Sequence, residues 1–288
     1  MTSIDTLRAR RQFTTIDGQQ IAYVTAGERS TPPLLLVHGW LSYAGAWDST
    51  LAALQDIYYC IAPDLLGFGL SDKPADGDYT IPSQAARVLA LADALGIDTF
   101  ALVGHSMGGQ IALYIAATQP GRVRRITSVG GVVTGELSAY LRMMYTPPLW
   151  LGHYVNRHIW DITRYGMTHW RWYKHLYYDN ANTYRKDVIP LGHPDLIMGA
   201  IPGIERPAYF AYHALQGCDL TPMLGNITAP VLLLHGENDN VVPVRNARHA
   251  HNYIPDNRLD VIPQCGHWPM YEHPERYVKT IRAFLGQM

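Results

Sequence analysis

Thr99-Phe100-Ala101-Leu102-Val103-Gly104-His105-Ser106-Met107-Gly108-Gly109-Gln110-Ile111-Ala112-Leu113 is the stretch that decides how the rest of this chain is read. Phe100 to Val103 is apolar without alternation, which suits a strand buried on both faces. From Met107 onward the sequence becomes apolar and Ala-rich in the manner of a helix. Between the two, Gly104 and Gly108 stand two residues before and two after Ser106. A serine held on a sharp strand-to-helix turn needs that spacing, because side chains at both flanking positions would collide with backbone. There its hydroxyl is exposed, and the N–H of Met107 faces an incoming carbonyl from the positive end of a helix. Taken alone, a glycine-rich turn carrying a passenger serine reads as well. The rest of the chain has to supply a base, an acid and a second N–H.

Outward from that turn, strand and helix patterns alternate. Gln12–Ile16 and Gln20–Thr25 alternate polar and apolar residues around Asp17-Gly18, the signature of a hairpin. Pro33–Val37 is a continuous apolar strand ending in His38-Gly39-Trp40, and Ala44–Gln55 reads as helical. Tyr58–Ala62 is another buried strand, followed by a loop from Leu65 to Pro74. Ile81–Leu95 has helical spacing, with Pro82 in its first turn. After the Ser106 turn, strands are expected at Arg124–Val129, Val231–Leu234 and Leu259–Ile262, with a last helix beginning near His273-Pro274. This rhythm implies a mostly parallel, doubly wound α/β sheet. It breaks once, from Gly131 to about Thr221, where Tyr140, Met143, Met144, Tyr145, Trp150, Tyr154, Trp160, Tyr165, Trp170, Trp172, Tyr173, Tyr177 and Tyr178 crowd together. Residues 132–221 are therefore expected to be a helical cap inserted after the sixth strand, over the carboxyl edge where ligands bind. Residues 1–131 and 222–288 would form the core.

Composition narrows the function classes. The chain has 288 residues, enough for one large α/β domain or one with an insertion. Twenty-three Lys and Arg against 24 Asp and Glu give a net charge of −1, which implies no attraction to nucleic acid or to an anionic membrane. Arg122, Arg124 and Arg125 read as a solvated helix-to-strand connection. Three cysteines, Cys60, Cys218 and Cys265, are too few and too scattered for a disulfide framework. Residues 1–13 carry charges without an apolar core, unlike a secretory leader, and no run is long enough to span a membrane. A cytoplasmic setting is the expectation.

A serine nucleophile needs a histidine base, and that base needs an acid to fix its tautomer. Of the 13 histidines, His267 alone sits in a loop after a buried strand and before the last helix. His153, His158, His169, His175, His193 and His213 fall in the insertion, and His249 and His251 on an exposed helix. His38 and His235 end strands before glycine and are expected to hydrogen-bond within their loops. For the acid, Gly236-Glu237-Asn238-Asp239 offers Glu237 and Asp239. Asp239 is favoured because Val241, Val242 and Pro243 follow it and begin the next helix, although an Asx turn or N-cap competes locally. The chain order Ser106, Asp239, His267 is the one expected of an α/β-hydrolase. Met107 supplies one oxyanion N–H, and Trp40 the second, with Leu41 as the alternative.

Five segments now stand together: His38-Gly39-Trp40, Asp64-Leu65-Leu66-Gly67-Phe68-Gly69-Leu70-Ser71-Asp72, Gly104-His105-Ser106-Met107-Gly108-Gly109, Gly236-Glu237-Asn238-Asp239 and Gly266-His267. In content and order they resemble the α/β-hydrolase superfamily, and among its members the capped esterases and the meta-cleavage-product C–C hydrolases. The resemblance implies Ser106, Asp239 and His267 as nucleophile, acid and base, and Trp40 and Met107 as oxyanion donors. It calls for no cofactor and no metal. Serine at the turn speaks against epoxide hydrolases and haloalkane dehalogenases, which carry Asp there. Many C–C hydrolases have Gly-Pro-Gly after His-Gly and Asn before the nucleophile, whereas this chain has Trp40-Leu41-Ser42 and His105. The His-Gly-Gly-Pro-Gly of proline iminopeptidases is also absent. The expected activity is hydrolysis of a small-molecule carboxylic ester with an apolar or aromatic group, through an acyl-enzyme. The alternative is C–C hydrolysis of a vinylogous diketone. A ligand receptor on the same fold comes third, since binding alone has no need of a triad.

Overall fold

The computed structural model describes residues 11–139, 142 and 203–286. The apolar runs pair into one eight-stranded sheet in the order β1-β2-β4-β3-β5-β6-β7-β8. The strands are β1 (Gln12–Ile16), β2 (Gln19–Ala26), β3 (Pro33–Val37), β4 (Tyr59–Pro63), β5 (Phe100–His105), β6 (Val123–Val129), β7 (Val231–Gly236) and β8 (Asn257–Ile262). The opening hairpin turns at Asp17 and Gly18, both with positive φ, as a two-residue primed turn requires. β2 runs antiparallel to both of its neighbours, and every pair from β4 to β8 is parallel.

The helices are α1 (Asp48–Leu54), α2 (Ile81–Ala94), α3 (Met107–Thr118), α4 (Glu205–Gln216), α5 (Arg245–Tyr253), the short α6 (Pro269–Glu272) and α7 (Pro274–Leu285). They cover both faces, which is why β3 and the Phe100–Val103 part of β5 are apolar at every position instead of alternating. Leu35, Val37 and Leu102 pack against α2 and α3 on one side. Leu34, Leu36, Ala101 and Val103 pack with Trp47, Phe284 and Leu285 on the other. Each fully buried Leu or Val of this kind contributes about 1.5–3 kcal/mol relative to leaving it exposed.

Several boundaries differ from the sequence pattern, and two of them have a clear physical cause. The stretch expected to be helical from Ala44 starts as a 3-10 turn over Ala44–Trp47 before α1 begins. Its first N–H is taken by the buried Asp64 carboxylate, with Ala44 N donating to Oδ1 at 2.7 Å. β8 begins at Asn257, two residues before its apolar run, because Asn257 and Arg258 still pair with Val231 and Leu232. Backbone pairing, not apolarity, sets that end.

The chain leaves β3 toward β4 on one side and later enters β5 on the other, so adjacent β3 and β5 form a topological switch point. Ligand crevices in open α/β sheets lie at the carboxyl ends of such strands. Register brings those ends level: Val37 pairs with Gly104, His105 with Val129, and Gly236 with Ile262.

The described ends of the insertion are built into the core. Val132, Val133 and Leu137 on the way out are buried in the same cluster as Ile204, Ala208, Ala211, Tyr212 and Leu215 on the way back. Leu220 N donates to Val133 O at 2.9 Å, joining exit to return. Asn246 of α5 accepts from the N–H groups of Val133 and Thr134, and Arg245 is ion-paired with Glu136. The aromatic run from Tyr140 to Tyr178, with His153, His158, His169, His175 and His193, lies outside the described residues.

Candidate active site

Ser106 follows β5 directly and precedes the first residue of α3, with φ 55° and ψ −116°. A non-glycine residue there is strained by about 1–3 kcal/mol, and such strain persists only where the surroundings fix it. They do so sterically. A Cβ on Gly104 would overlap the Gly108 carbonyl, and one on Gly108 would overlap the carbonyl of Val37. The turn is also held by Ser106 N donating to Val129 O at 2.9 Å and by Val132 N donating to Ser106 O at 3.3 Å. Met107 opens α3, so no carbonyl one turn earlier in that helix awaits its N–H.

The loop after β3 lies against this turn. A Cβ built on Gly39 would come 3.0 Å from Ser106 Cβ and 3.3 Å from His105 Nδ1, so the backbone beside Trp40 approaches the serine closely. His38 fixes the loop from beneath. Its Nε2 accepts from Leu65 N at 2.9 Å, which leaves Nδ1 to donate to Gly39 O at 2.7 Å. Burial pushes its pKa down to about 4, against weaker upward pulls from Asp64 and the Gly39 hydrogen bond, and the Arg11 charge adds a smaller downward effect. This imidazole is a neutral brace.

β7 and β8 deliver the other two groups. His267 Nδ1 lies 2.7 Å from Asp239 Oδ2, and both side chains are buried. Burial alone would raise the Asp239 pKa. The nearby His267, together with hydrogen bonds from His235 and His267, instead holds the carboxyl well below the usual carboxylate range. An ionised carboxylate only accepts, so His267 donates from Nδ1 and keeps Nε2 bare for taking a proton. The competing reading of Asp239 as a turn-former holds at the same time. Its Oδ1 accepts from Val241 N at 2.8 Å and Val242 N at 2.9 Å, while Oδ2 serves the histidine. Glu237 is exposed.

Three further side chains shape the site, and sequence reasoning missed their parts in it. His235 donates from Nε2 to Val242 O at 2.8 Å, as a loop histidine should, and the same nitrogen stands 3.2 Å from Asp239 Oδ2. His105, next to the serine, reaches across to the other loop, with Nε2 donating to His267 O at 2.8 Å and its ring 4.6 Å from the His267 ring. Its pKa falls well below 6.5, first through burial and then through the neighbouring His267. Glu272 clasps the His267 loop from both sides, accepting from Gly266 N at 2.9 Å and Trp268 N at 3.0 Å. The Glu272 clasp, six residues from Gly266 and four from Trp268, resembles a capping arrangement and could have been suspected. The His105 contact depends on strand order, and the His235 contact on the path of the loop after β7.

A buried serine on a strained turn thus sits at one sheet edge with an Asp–His pair and a close-approaching glycine loop. The model of the alpha/beta hydrolase fold family matches residues 32–274. The chain belongs to that family. Among its relatives, the 2-hydroxymuconate semialdehyde hydrolase of Pseudomonas putida is 32% identical over 267 residues, covering 88% of this chain and 87% of the relative. The 2-hydroxy-6-oxo-6-(2'-aminophenyl)hexa-2,4-dienoic acid hydrolase of Metapseudomonas resinovorans is 30% identical, covering 96% and 91%. The crystal structure of an esterase from a Rhodococcus species is 27% identical and superposes with a TM-score of 0.77, covering 96% of this chain and 99% of that one. All three act as hydrolases, and hydrolysis is the reaction class that goes with this member of the α/β-hydrolase family. Among the described residues no cluster of His, Cys, Asp and Glu could hold a metal ion, and no helix is long and apolar enough to cross a membrane.

Proposed function

We propose that the protein is a serine hydrolase that cleaves a carbon–carbon bond in a vinylogous diketone of the 2-hydroxy-6-oxo-dienoate type. The observation that carries this choice is the similarity, at 30–32% identity over most of the chain, to hydrolases named for such dienoates. In this reading Ser106 is the nucleophile, His267 the base and Asp239 the acid, with the N–H groups of Trp40 and Met107 as oxyanion donors. His267 Nε2 takes the Ser106 proton as Oγ adds to the ketone carbon, and the two N–H groups stabilise the oxyanion. The adduct collapses by breaking the bond to the neighbouring carbon. In the keto tautomer of the dienoate, in which the carbon next to the ketone is already a CH2, the electron pair flows through the conjugated system onto the remote carbonyl oxygen, and that oxygen takes the proton held by His267. The fragment leaves as a dienol, and a water activated by His267 then releases the acyl group as a carboxylic acid. One water is consumed and no redox change occurs. A carbon leaving group is possible only because the conjugated carbonyl accepts its electrons.

The second reading is hydrolysis of an ester with an apolar or aromatic group. Two observations favour it: the Trp40-Leu41-Ser42 loop in place of Gly-Pro-Gly, and the likeness to the Rhodococcus esterase. An ester needs no electron sink, and the same groups would serve. The test is to follow the visible absorbance of 2-hydroxy-6-oxo-6-phenylhexa-2,4-dienoate beside a graded set of p-nitrophenyl esters. The C–C reading expects kcat/KM for the dienoate to exceed that for every ester by at least about tenfold. The reverse order would overturn it in favour of the esterase. In either case Ser106→Ala abolishes turnover, and retained turnover would remove Ser106 from the mechanism.

A further inference from the structure

The return helix of the insertion is tied to both elements that carry the oxyanion donors. On the first side, the Trp40 indole Nε1 donates to the carbonyl of Ala208 in α4 at 2.8 Å, and its ring lies 5.8 Å from that of the buried Tyr212. Trp40 therefore spends its side chain on the helix, although it begins in the loop beside Ser106. On the second side, Gln110 is one turn into α3. Its backbone N–H donates to Ser106 O at 3.2 Å. Its side-chain Nε2 donates to Cys218 O at 2.7 Å and Leu215 O at 3.2 Å, at the far end of α4.

The Trp40 loop needs such an anchor. Leu41 has φ 57°, a conformation that a leucine adopts only under constraint. Ser42 N donates to Gly39 O at 3.2 Å to close the turn. If the indole is released, Leu41 can relax and rotate the Trp40 peptide unit away from the serine. An oxyanion donor acts through geometry fixed in advance, so a small rotation is felt in the transition state and little in the ground state.

We propose that α4 braces the oxyanion pocket from both sides, with Trp40 through its indole N–H and Gln110 through its amide acting as positioning residues. The inference rests on the serine-hydrolase reading above, with Trp40 and Met107 as donors. It makes the return helix of the insertion and the oxyanion pocket one mechanical unit. Whatever shifts α4 therefore changes kcat.

Trp40→Phe keeps an aromatic ring and removes the N–H. With p-nitrophenyl acetate the expected result is a fall in kcat of about tenfold with KM within about twofold, short of the 10²–10³ lost with a donor outright. The inhibitor 2,2,2-trifluoroacetophenone, which forms an anionic hemiketal with a serine, should weaken by the same factor as kcat. Its reduced alcohol, 2,2,2-trifluoro-1-phenylethanol, forms no adduct and should bind unchanged. A residue important only for folding would not separate those two ligands. Gln110→Met is the second variant and should show the same split, so the test survives if one variant fails to fold. Folded variants with wild-type kcat and wild-type trifluoroacetophenone affinity would overturn the inference alone. Retained turnover in Ser106→Ala would instead remove the reading beneath it.

Discussion

Replacing His38 with glutamine should flatten the acid side of the stability curve. His38 is fully buried, accepts from Leu65 N and donates to Gly39 O, so it folds neutral with its pKa pushed from 6.5 down to about 4. In the unfolded chain it titrates near 6.5. Between these values the unfolded state binds a proton that the folded state refuses, so this group makes stability rise with pH, and the contribution is lost as pH falls from about 6.5 to about 4. At about 1.4 kcal/mol per pH unit the whole window is worth about 3 kcal/mol, of which about 2 kcal/mol falls between pH 7 and pH 5. The amide of His38→Gln would keep an acceptor for Leu65 and lose the donor to Gly39, costing about 1 kcal/mol at neutral pH. The variant should therefore be less stable than the wild type at pH 7 and equal or exceed it by pH 5. Urea denaturation of both proteins at half-unit pH steps measures the difference, and groups common to both cancel. Parallel curves for the two proteins would refute a neutral, buried His38.

Two further outcomes test the site. Asp239→Asn keeps an oxygen for the Val241 and Val242 amides but sets an NH2 group against His267 Nδ1. This forces the proton onto Nε2 and should lower kcat by about 10³–10⁴-fold with circular dichroism unchanged; a loss under tenfold would remove Asp239 as the acid. Gly108→Ala places a methyl group on the Val37 carbonyl, a clash between two backbones that neither can relieve. Soluble expression at wild-type yield with a wild-type melting temperature would show that the serine turn tolerates what its geometry forbids.

Much of the site was legible because each signal is local. The glycine spacing around Ser106 encodes a steric demand within five residues, and the structure meets it at the carbonyls of Gly108 and Val37. Asp239 could be chosen over Glu237 because its neighbours Val241 and Val242 resume an apolar pattern, and those same residues donate to its carboxylate. His267 stood out because it follows a strand, and strands that alternate with helices deliver their following loops to one edge.

The sequence by itself determined the α/β class, the strands of the sheet and the chain order of Ser106, Asp239 and His267 along its carboxyl edge. Periodicity and close-range sterics are written between neighbours, so those features need no knowledge of the whole. Only the tertiary structure decided what those groups touch. His105 holds the backbone of His267 across 162 positions, and the Trp40 indole reaches Ala208 across 168. His235 lies only four residues from Asp239, and the turn closed by Asp239 N donating to Gly236 O accompanies the 3.2 Å approach of its Nε2 to Oδ2. Such contacts follow from strand order, register and the path of the loops, none of which is carried by any local pattern. Polar side chains there cannot be told from ordinary loop residues until burial fixes which groups they meet.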